Sequence, residues 1–282
     1  MKILIIGGSG FVGSKVVERL FQDNHELTLL VHKKNTNAKL KTVIGDVLDQ
    51  KSLSAAMKNM DAIVNLVGII REKPPVITFD NMHVVAVKNI LHAMKENNLN
   101  RLIHISAFGA KKRSKSKYFE TKFQAEEFIK KSGVDFTILR PSIIWAENGG
   151  FHDELENLAN YPFFIPIVGN GKQPFNLVKL SNLAEVVSKI LEEERTVGKI
   201  FDIGGPKIFT FEEMITMVEN NIGKKKIHIN VPFFIVNLIT KIMESVRINF
   251  PVTSTQLMML SEGNVAKDNS IFDIVNVRQE EI

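Results

Sequence analysis

The chain opens with Lys2-Ile3-Leu4-Ile5-Ile6-Gly7-Gly8-Ser9-Gly10-Phe11-Val12-Gly13, a short apolar run that leads directly into a glycine-rich turn. A continuous apolar run of this length predicts a strand that is buried on both faces. After the turn, Val12, Val16 and Leu20 recur at helical spacing, with charged residues between them. The stretch therefore predicts a strand, a tight turn and an amphipathic helix in immediate succession.

The same alternation of strands and helices continues as far as Pro141. Further strands are predicted at 27–31, 42–44, 62–67, 102–106 and 136–139, and further helices at 50–59, 81–96 and 117–131. Such alternation is typical of a parallel sheet with right-handed crossovers. We therefore predict an α/β protein with a doubly wound parallel Rossmann sheet and a smaller, mostly helical C-terminal region.

The predicted domain boundaries follow from where this rhythm weakens. Residues 1–147 form the expected dinucleotide-binding domain, and 176–204 return to it through a helix at 182–194 and a strand at 199–203. The smaller domain then comprises 148–175 and 205–282, with helices at 211–221 and 232–246. The polar tail after Lys267 is expected to fray.

Composition excludes several classes of protein. The 282 residues include no cysteine, which removes disulfides, thiolate metal sites and cysteine nucleophiles. The seven histidines include no pair at zincin spacing, so no metal site is expected. A net charge of +5 is too small to indicate a nucleic-acid binder. Without a spanning apolar stretch or a signal peptide, the expected location is the cytoplasm, with a position at the inner membrane surface left open.

The glycine-rich turn is the candidate nucleotide site. Glycines at these positions allow a tight turn, a close approach of the backbone to a pyrophosphate, and contact between helix and strand. The diphosphate would lie at the helix N-terminus, where free N–H groups favour an anion. An ordinary strand–helix turn is the alternative. The residues expected to contact the dinucleotide here are Gly7, Ser9, Gly10, Phe11, Val12 and Gly13.

The end of the second strand bears on the choice of cofactor. An NAD site places a carboxylate there for the ribose 2′-hydroxyl, whereas a 2′-phosphate needs a cation. The sequence has His32-Lys33-Lys34 at this point and no adjacent acid. This pattern favours NADP(H) over NAD(H), although the lysines could also belong to a solvated loop.

Tyr118 and Lys122 are four residues apart on a predicted helix and therefore share one face. A neighbouring ammonium favours tyrosinate and lowers a tyrosine pKa that starts near 10. Such a pair can move a proton while a hydride moves. Tyr118 and Lys122 are thus the candidate catalytic residues, with Asn81 as a candidate relay through water.

These residues, with others along the chain, resemble an atypical or extended short-chain dehydrogenase/reductase. The resemblance is closest to the Rossmann-type accessory subunit of respiratory complex I and its bacterial relatives. The segments that carry it are Gly7–Gly13, Gly45-Asp46-Val47, Asn65-Leu66-Val67-Gly68, His104-Ile105-Ser106-Ala107, Tyr118–Lys122, Leu139-Arg140-Pro141-Ser142, Ile167-Val168-Gly169-Asn170-Gly171, Ile203-Gly204-Gly205-Pro206 and Pro251-Val252-Thr253 with Gln256-Leu257.

The resemblance implies roles for further residues. Asp46, followed by Val47, would lie by the adenine amine, and Val67 and Gly68 would pass near the cofactor. Pro141 would lie near the carboxamide. Ser106 aligns with a position that usually touches cofactor, and Lys122 would hold the nicotinamide ribose. For Val67 and Gly68, packing at a strand end is the alternative.

The sequence departs from active relatives at one point. They usually carry Ser or Thr two residues past the position of Ser106, and here that place holds Phe108. Trp145-Ala146 likewise replaces an aromatic–glycine pair. A missing hydroxyl donor can cost about 10²–10³ in rate. Three functions therefore remain open: a protein with structural or regulatory NADP(H), an active reductase or epimerase on a sugar-nucleotide or lipid-linked substrate, and a redox sensor.

Two segments are candidates for contact with partners. Lys111–Lys117 carries five cations in seven residues, which is consistent with a solvated loop or with docking on an acidic protein or lipid surface. Val231–Val246 has a broad apolar face, which is consistent with domain core or with a surface that lies on a membrane. The resemblance favours a membrane-peripheral complex.

Overall fold

The computed structural model of the protein describes residues 1–33, 40–160, 163–223, 225–245, 257–258, 264–266 and 268–282, and no side chain in 242–245. Lys34, Val246 and the motif residues 251–256 lie outside the described residues. The chain divides into two compact units. The first comprises Met1–Pro141, Leu180–Ile203 and Asp268–Gln279, and the second Ser142–Lys179, Gly204–Lys267 and Glu280–Ile282.

A parallel sheet of seven strands forms the centre of the first unit. Its strands are β1 (Lys2–Ile6), β2 (Glu26–Val31), β3 (Lys41–Ile44), β4 (Ala62–Asn65), β5 (Arg101–Ile105), β6 (Asp135–Pro141) and β11 (Lys199–Ile203). They lie in the order β3-β2-β1-β4-β5-β6-β11, with β1 between β2 and β4. The predicted doubly wound parallel Rossmann sheet is confirmed.

Helices cover both faces of this sheet. They are α1 (Phe11–Gln22), α2 (Gln50–Ala56), α3 (Ala86–Glu96), α4 (Lys117–Lys130) and α6 (Leu180–Ile190), and the short α9 (Ser270–Ile274) also belongs to this unit. Leu4 and Ile6 share a core cluster with Ile90 of α3 and Ala125 of α4. The alternate residue Ile5 is equally buried, so β1 is enclosed on both faces as its continuous apolar sequence predicts.

The turn between β1 and α1 leaves no room for a side chain at residue 13. Gly7 adopts φ +84°, a left-handed conformation that glycine tolerates. A Cβ at residue 13 would lie 2.1 Å from the carbonyl oxygen of Gly7 and 2.7 Å from Cα of Gly8. The backbone of helix α1 at Gly13 therefore packs directly against the backbone of Gly7 and Gly8.

The predicted helix at 81–96 has two parts. A π-helix spans Asp80–Val85 and continues without interruption into α3. A π-helical turn is wider than an α-turn and is frequent at functional sites. The spacing of apolar residues in the sequence does not reveal this widening, because that spacing is interpreted as if the whole segment were an α-helix.

The second unit is smaller. Its helices are α5 (Phe151–Ala159), α7 (Phe211–Asn221) and α8 (Phe233–Ser245). Its strands form three two-stranded sheets, in which β7 (Ile144–Trp145) pairs with β10 (Val178–Lys179), β9 (Pro174–Phe175) with β12 (Phe209–Thr210), and β8 (Phe164–Val168) with β13 (Ile227–Val231). These short sheets were not predicted.

The units differ from the predicted domains at three places. Residues 142–147 and 176–179 belong to the second unit, because β7 and β10 pair with each other. Residues 268–279 belong to the first unit, where Ile271 is fully buried and Asn182 donates a hydrogen bond to the carbonyl of Arg278 at 2.9 Å. The expectation of a frayed tail is wrong for α9. Among the described helices, none is both long enough and apolar enough to cross a membrane.

Candidate functional site

The candidate site lies in the first unit, at the edge of the sheet where the parallel strands end. The carboxyl ends of β1, β4, β5 and β6 all lie there, and β1 and β4 are adjacent although they are not consecutive in sequence. This is the topological switch point at which doubly wound sheets bind their ligands. The structure brings together Gly7, Val67, Gly68, Ser106 and Pro141 at this edge, as the sequence analysis expects.

The start of α1 is suited to an anion. Gly10 precedes the helix and offers no side chain to cap it, so no side-chain oxygen accepts from the first turn. The first N–H groups of a helix have no intrahelical partner and carry part of the helix dipole. The hydroxyl of Ser14 donates to the carbonyl of Phe11 at 3.0 Å and so does not accept from the N–H groups of the first turn.

The end of β2 presents cations to solvent. His32 and Lys33 are both exposed, and the described part of this loop stops at Lys33. An acid nevertheless comes close from β3: Asp46 Oδ2 lies 3.9 Å from His32 Nδ1. Asp46 is held by the N–H of Leu48, which donates to Oδ1 at 2.8 Å. Sequence spacing could not reveal this carboxylate, because the parallel pairing of β2 and β3 creates the contact.

Tyr118 is deeply buried, with 8% of its surface exposed. Its ring meets Phe79, His83 and Phe119 edge-on, with centroids 5.3–5.8 Å away. Burial raises the pKa of Tyr118 to about 12. The expectation that Lys122 lowers this pKa is therefore wrong, because desolvation of the phenolate dominates.

Lys122 lies one turn further along α4 and is also buried, with 3% of its surface exposed. Its Nζ donates to the carbonyl of Ile105 at 3.0 Å, at the end of β5. Burial lowers the pKa of Lys122 to about 8, although the nearby Glu126 carboxylate acts in the opposite direction. A Cβ at residue 68 would lie 3.0 Å from this Nζ, which places Lys122 directly beside Gly68.

His83 is a residue of this site that the sequence analysis missed. Its Nε2 accepts from the N–H of Ile69 at 3.3 Å, and its Nδ1 lies 2.9 Å from the hydroxyl of Thr121. Since Nε2 accepts, the neutral ring carries its proton on Nδ1. Burial, reinforced by the charge of Lys122, lowers the pKa of His83 to about 2. The π-helix directs this histidine against Tyr118.

Asn81, the candidate relay, is engaged within its own segment. Its amide nitrogen donates to the carbonyl of Val76 at 2.8 Å, and its backbone N–H donates to the hydroxyl of Thr78 at 3.2 Å. No described contact joins Asn81 to Tyr118. His83, two residues later, is the member of the π-helix that packs on the tyrosine ring.

A second buried histidine fixes the loop after β4. The side-chain amide of Asn65 lies 3.0 Å from His104 Nδ1, and its oxygen accepts from the N–H of Val67 at 3.1 Å. His104 Nδ1 is therefore the acceptor, and its buried Nε2 has no hydrogen-bond partner. Burial holds the pKa of His104 well below its usual range. The pair positions Val67, and thereby Gly68, at the strand end.

The hydroxyl of Ser106 is hydrogen-bonded to a buried carboxylate. Its hydroxyl donates to Glu126 Oε1 at 2.5 Å, and Arg140 donates to the same carboxylate through Nε at 2.8 Å and a terminal nitrogen at 2.5 Å. Glu126 has no exposed surface, and its hydrogen bond raises the pKa of Arg140. A bidentate pair of this kind is geometrically rigid. It holds α4 against the ends of β5 and β6.

The half-buried Phe108 occupies the loop after Ser106. Its N–H donates to the carbonyl of Pro141 at 2.9 Å, so the loops after β5 and β6 are joined. Pro141 itself is buried.

Glu126, like His83, is a residue of this site that the sequence analysis missed. In the sequence, an acid on a polar helix resembles an ordinary surface residue, and only the packing of α4 shows that it is buried.

Comparison with known proteins agrees with this geometry. A family model described as NAD(P)H-binding matches residues 7–157, which is more than half of the chain. The chain belongs to this NAD(P)H-binding family. The matched region includes the glycine turn, the π-helix and all of α4.

The chain is similar to relatives of more than one kind. The chain is 27% identical over 243 residues to the mitochondrial NADH-ubiquinone oxidoreductase 40 kDa subunit of Neurospora crassa, covering 81% of this chain and 62% of that subunit. It is 25% identical over 252 residues to the N-acetyl-α-D-glucosaminyl-diphospho-ditrans,octacis-undecaprenol 4-epimerase of Escherichia coli O157:H7, covering 82% and 75% respectively. The chain thus spans less than two thirds of the Neurospora relative. The resemblance to complex I subunits and epimerases is confirmed.

Solved structures show the same fold. A nucleoside-diphosphate-sugar epimerase from Staphylococcus aureus superposes with a TM-score of 0.79 at 18% identity, covering 100% of this chain and 98% of that one. An NADPH-dependent quinone oxidoreductase from Escherichia coli, in complex with NADPH, gives a TM-score of 0.78 at 14% identity, covering 99% and 96%. At these identities the likeness concerns the fold alone.

We predict that acid destabilises the protein through His83. The unfolded chain takes up a proton on this residue below pH 6.5, whereas the folded chain does not until about pH 2. The free energy of unfolding should therefore fall by up to about 1.4 kcal/mol per pH unit below 6.5. His83→Gln should be less stable at pH 7 but should lose less stability on acidification, as measured by urea unfolding at pH 7, 6 and 5.

His92→Gln is the matched control, because the His92 side chain is 55% exposed on α3. It should retain the pH dependence of the unsubstituted protein. His104 contributes to the slope in every variant and does not affect the comparison. Identical slopes for His83→Gln and the unsubstituted protein would contradict the prediction.

Proposed function

We propose that the chain binds NADP(H) at the carboxyl edge of its sheet, and that the nucleotide is structural or regulatory, as in an accessory subunit of the complex I type. The observation that carries the proposal is the start of α1, which has no side-chain cap. This helix start lies against Gly7, because residue 13 is a glycine. Free N–H groups there suit a diphosphate. The exposed His32 and Lys33 suit a 2′-phosphate.

The pKa and the surroundings of Tyr118 support a nucleotide that is bound but does not react. Its pKa of about 12 disfavours the phenolate, and its ring is enclosed by aromatic neighbours. Ser106 gives its hydroxyl to Glu126, and Phe108 stands where relatives use a hydroxyl. The groups that would stabilise developing charge on a substrate are thus committed or missing.

NADP(H) should raise the melting temperature of the purified protein more than NAD(H) does, because a ligand that binds the folded state stabilises it by mass action. Lys33→Glu should weaken NADP⁺ binding at least about tenfold, because it removes one charge-assisted hydrogen bond and places an anion near the 2′-phosphate. It should not weaken NAD⁺ binding, because a carboxylate at the end of β2 can accept from the ribose 2′-hydroxyl. Calorimetric titration with the two oxidised nucleotides measures both affinities.

Lys41→Glu is the control for Lys33→Glu. It makes the same change of charge at an exposed lysine, but at the opposite end of the neighbouring strand β3. The proposal is overturned if neither nucleotide binds. Its preference for NADP(H) is overturned if the two oxidised nucleotides bind equally well.

A second candidate function is an active reductase or epimerase on a sugar-nucleotide or lipid-linked substrate. Lys122 favours it, because burial lowers its pKa to about 8 and its Nζ lies beside Gly68. One relative is an epimerase whose name gives a lipid-linked diphosphate sugar. Here Tyr118 would donate or accept the proton, and Lys122 would hold the nicotinamide ribose.

Tyr118→Phe separates the two functions. For a structural nucleotide, this variant should keep the NADP⁺ affinity and the thermal shift of the unsubstituted protein, and neither protein should change the cofactor absorbance at 340 nm with a panel of nucleotide sugars and quinones. For an enzyme, the unsubstituted protein should turn over one substrate, and the Phe variant should lose that activity while retaining its affinity.

The partner we propose for the second unit is an anionic lipid surface. On α8, Phe234 is 69% exposed, Leu238 58% and Ile239 40%, whereas Thr240 is fully buried. Of the two alternatives left open for this apolar face, the exposure of these side chains favours a surface over domain core. Lys241 is exposed one turn beyond Leu238, where its long side chain can extend to an anionic headgroup while the apolar side chains are buried. The relatives from complex I are consistent with a membrane-peripheral location.

The protein should co-sediment with vesicles of phosphatidylcholine and phosphatidylglycerol, and less well with phosphatidylcholine alone. Phe234→Ser combined with Leu238→Ser should weaken this binding at least about tenfold, since each buried apolar side chain contributes roughly 1.5–3 kcal/mol. Phe21→Ser, which changes a 59% exposed side chain on α1, is the control. Undiminished binding by the double variant, or none by the unsubstituted protein, would refute the proposal.

The basic run Lys111–Lys117 stays open between a solvated loop and a docking segment. Its cations are exposed, and Lys117 pairs with Asp80 at 2.6 Å. Its two serines are buried, and the N–H of Ser116, which precedes α4, donates to the hydroxyl of Ser114 at 3.2 Å. An acidic protein surface is the proposed partner of the run if it is a docking segment.

A further inference from the structure

Three side chains that could bind a metal ion meet at the start of α5 in the second unit. They are His152, Asp153 and Glu156, and one ligand atom from each lies within 4.8 Å of the others. His152 Nδ1 is 3.7 Å from Asp153 Oδ1. His152 and Glu156 are four residues apart on the helix and so project from the same side.

The burial of His152 and its unpartnered nitrogen distinguish this cluster from two acids that merely lie near a helix start. The histidine is 94% buried, since only 6% of its surface is exposed, and its Nδ1 has no hydrogen-bond partner. Leaving a buried polar atom unsatisfied costs about 1–3 kcal/mol. The helix dipole explains why acids occur in the first turn, but it does not explain an unpaired nitrogen that faces them.

Neighbouring residues hold this arrangement in place. The Trp145 ring meets the His152 ring edge-on, with centroids 5.2 Å apart and planes at 79°. The N–H of Gly149 donates to Asp153 Oδ1 at 2.7 Å. The imidazole is thus fixed by packing and one Asp153 oxygen by the Gly149 N–H, whereas Asp153 is exposed and Glu156 half-buried, so both carboxylates can be reached from solvent.

We propose that His152, Asp153 and Glu156 form a site for a divalent transition-metal ion of the zinc type. One imidazole nitrogen and two carboxylate oxygens are ligands that Zn²⁺, Co²⁺ and Ni²⁺ accept, whereas Mg²⁺ and Ca²⁺ prefer oxygen alone. Metal–ligand bonds of about 2.0–2.2 Å require ligand atoms roughly 3.3 Å apart. Small rotations of the two carboxylates reach that spacing, and water completes the coordination.

The sequence analysis expected no metal because it looked for pairs of histidines. A site with one histidine escapes that search, since His-Asp-x-x-Glu is a common surface pattern on helices. Only the burial of the imidazole and its unsatisfied nitrogen distinguish this instance. The site lies wholly within residues 142–179 and is argued independently of the proposed nucleotide site.

Trp145 provides a direct test, because it is the only tryptophan in the chain and lies against the histidine ring. Co²⁺ or Ni²⁺ bound at His152 should quench its fluorescence saturably, with one ion per chain, and EDTA should reverse the quenching. Zn²⁺, which does not quench in this way, should compete. The full chain is used without a polyhistidine tag, and equilibrium dialysis gives the stoichiometry.

Glu156→Gln and Asp153→Asn should each weaken binding by at least about tenfold, since even the loss of an outer partner of a metal site costs 10–100-fold. Glu154→Gln makes the same chemical change on the same helix outside the cluster and should bind as the unsubstituted protein does. Far-UV circular dichroism confirms that each variant is folded. Absence of saturable quenching, or equal affinities in the Glu156→Gln and Glu154→Gln variants, would overturn the proposal.

Discussion

The carbonyl oxygen of Gly7 occupies the space that a side chain at residue 13 would need, and the arrangement of the first unit depends on this contact. Because α1 can approach β1 so closely, its N-terminal N–H groups come to the strand end instead of lying a side chain's width away. The neighbouring strand β4 then brings Val67 and Gly68 to the same edge. One absent side chain thus allows the helix start and the loop after β4 to meet at the edge where the nucleotide is proposed to bind.

A layer of buried polar groups lies behind this edge. His83, His104, Lys122 and Glu126 are all almost completely buried, yet their hydrogen bonds and charges are largely matched by neighbours. Such networks are costly unless they are satisfied, and they fix a unique arrangement when they are. The layer explains why Tyr118 lies where the sequence predicts but has a pKa opposite to the expected shift. The same lysine that was expected to promote ionisation is itself poorly solvated and bonded to a backbone carbonyl.

The fold of the first unit could be predicted almost entirely from sequence, because the apolar runs of β1, β2 and β5 and the spacing of α1 leave few alternatives. Its glycine turn was also predictable, since the physical need for glycine is local. The contacts that could not be predicted join residues that are far apart in the sequence. Asp46 reaches His32 through parallel pairing, Glu126 meets Arg140 across helix and strand, and the buried tail 268–279 returns after a long excursion. Helical spacing located the apolar face of α8 but could not tell whether it faces inward or outward.

The interleaved path of the chain has a consequence for its synthesis. Strand β6 ends at Pro141, but β11, which pairs with it, is not complete until Ile203. At about 5–20 residues per second, β6 therefore remains an unpaired sheet edge for several seconds after it leaves the ribosome. Exposed parallel edges readily recruit other strands. The nascent chain consequently passes through a period in which the outer edge of β6 is open to association with other strands.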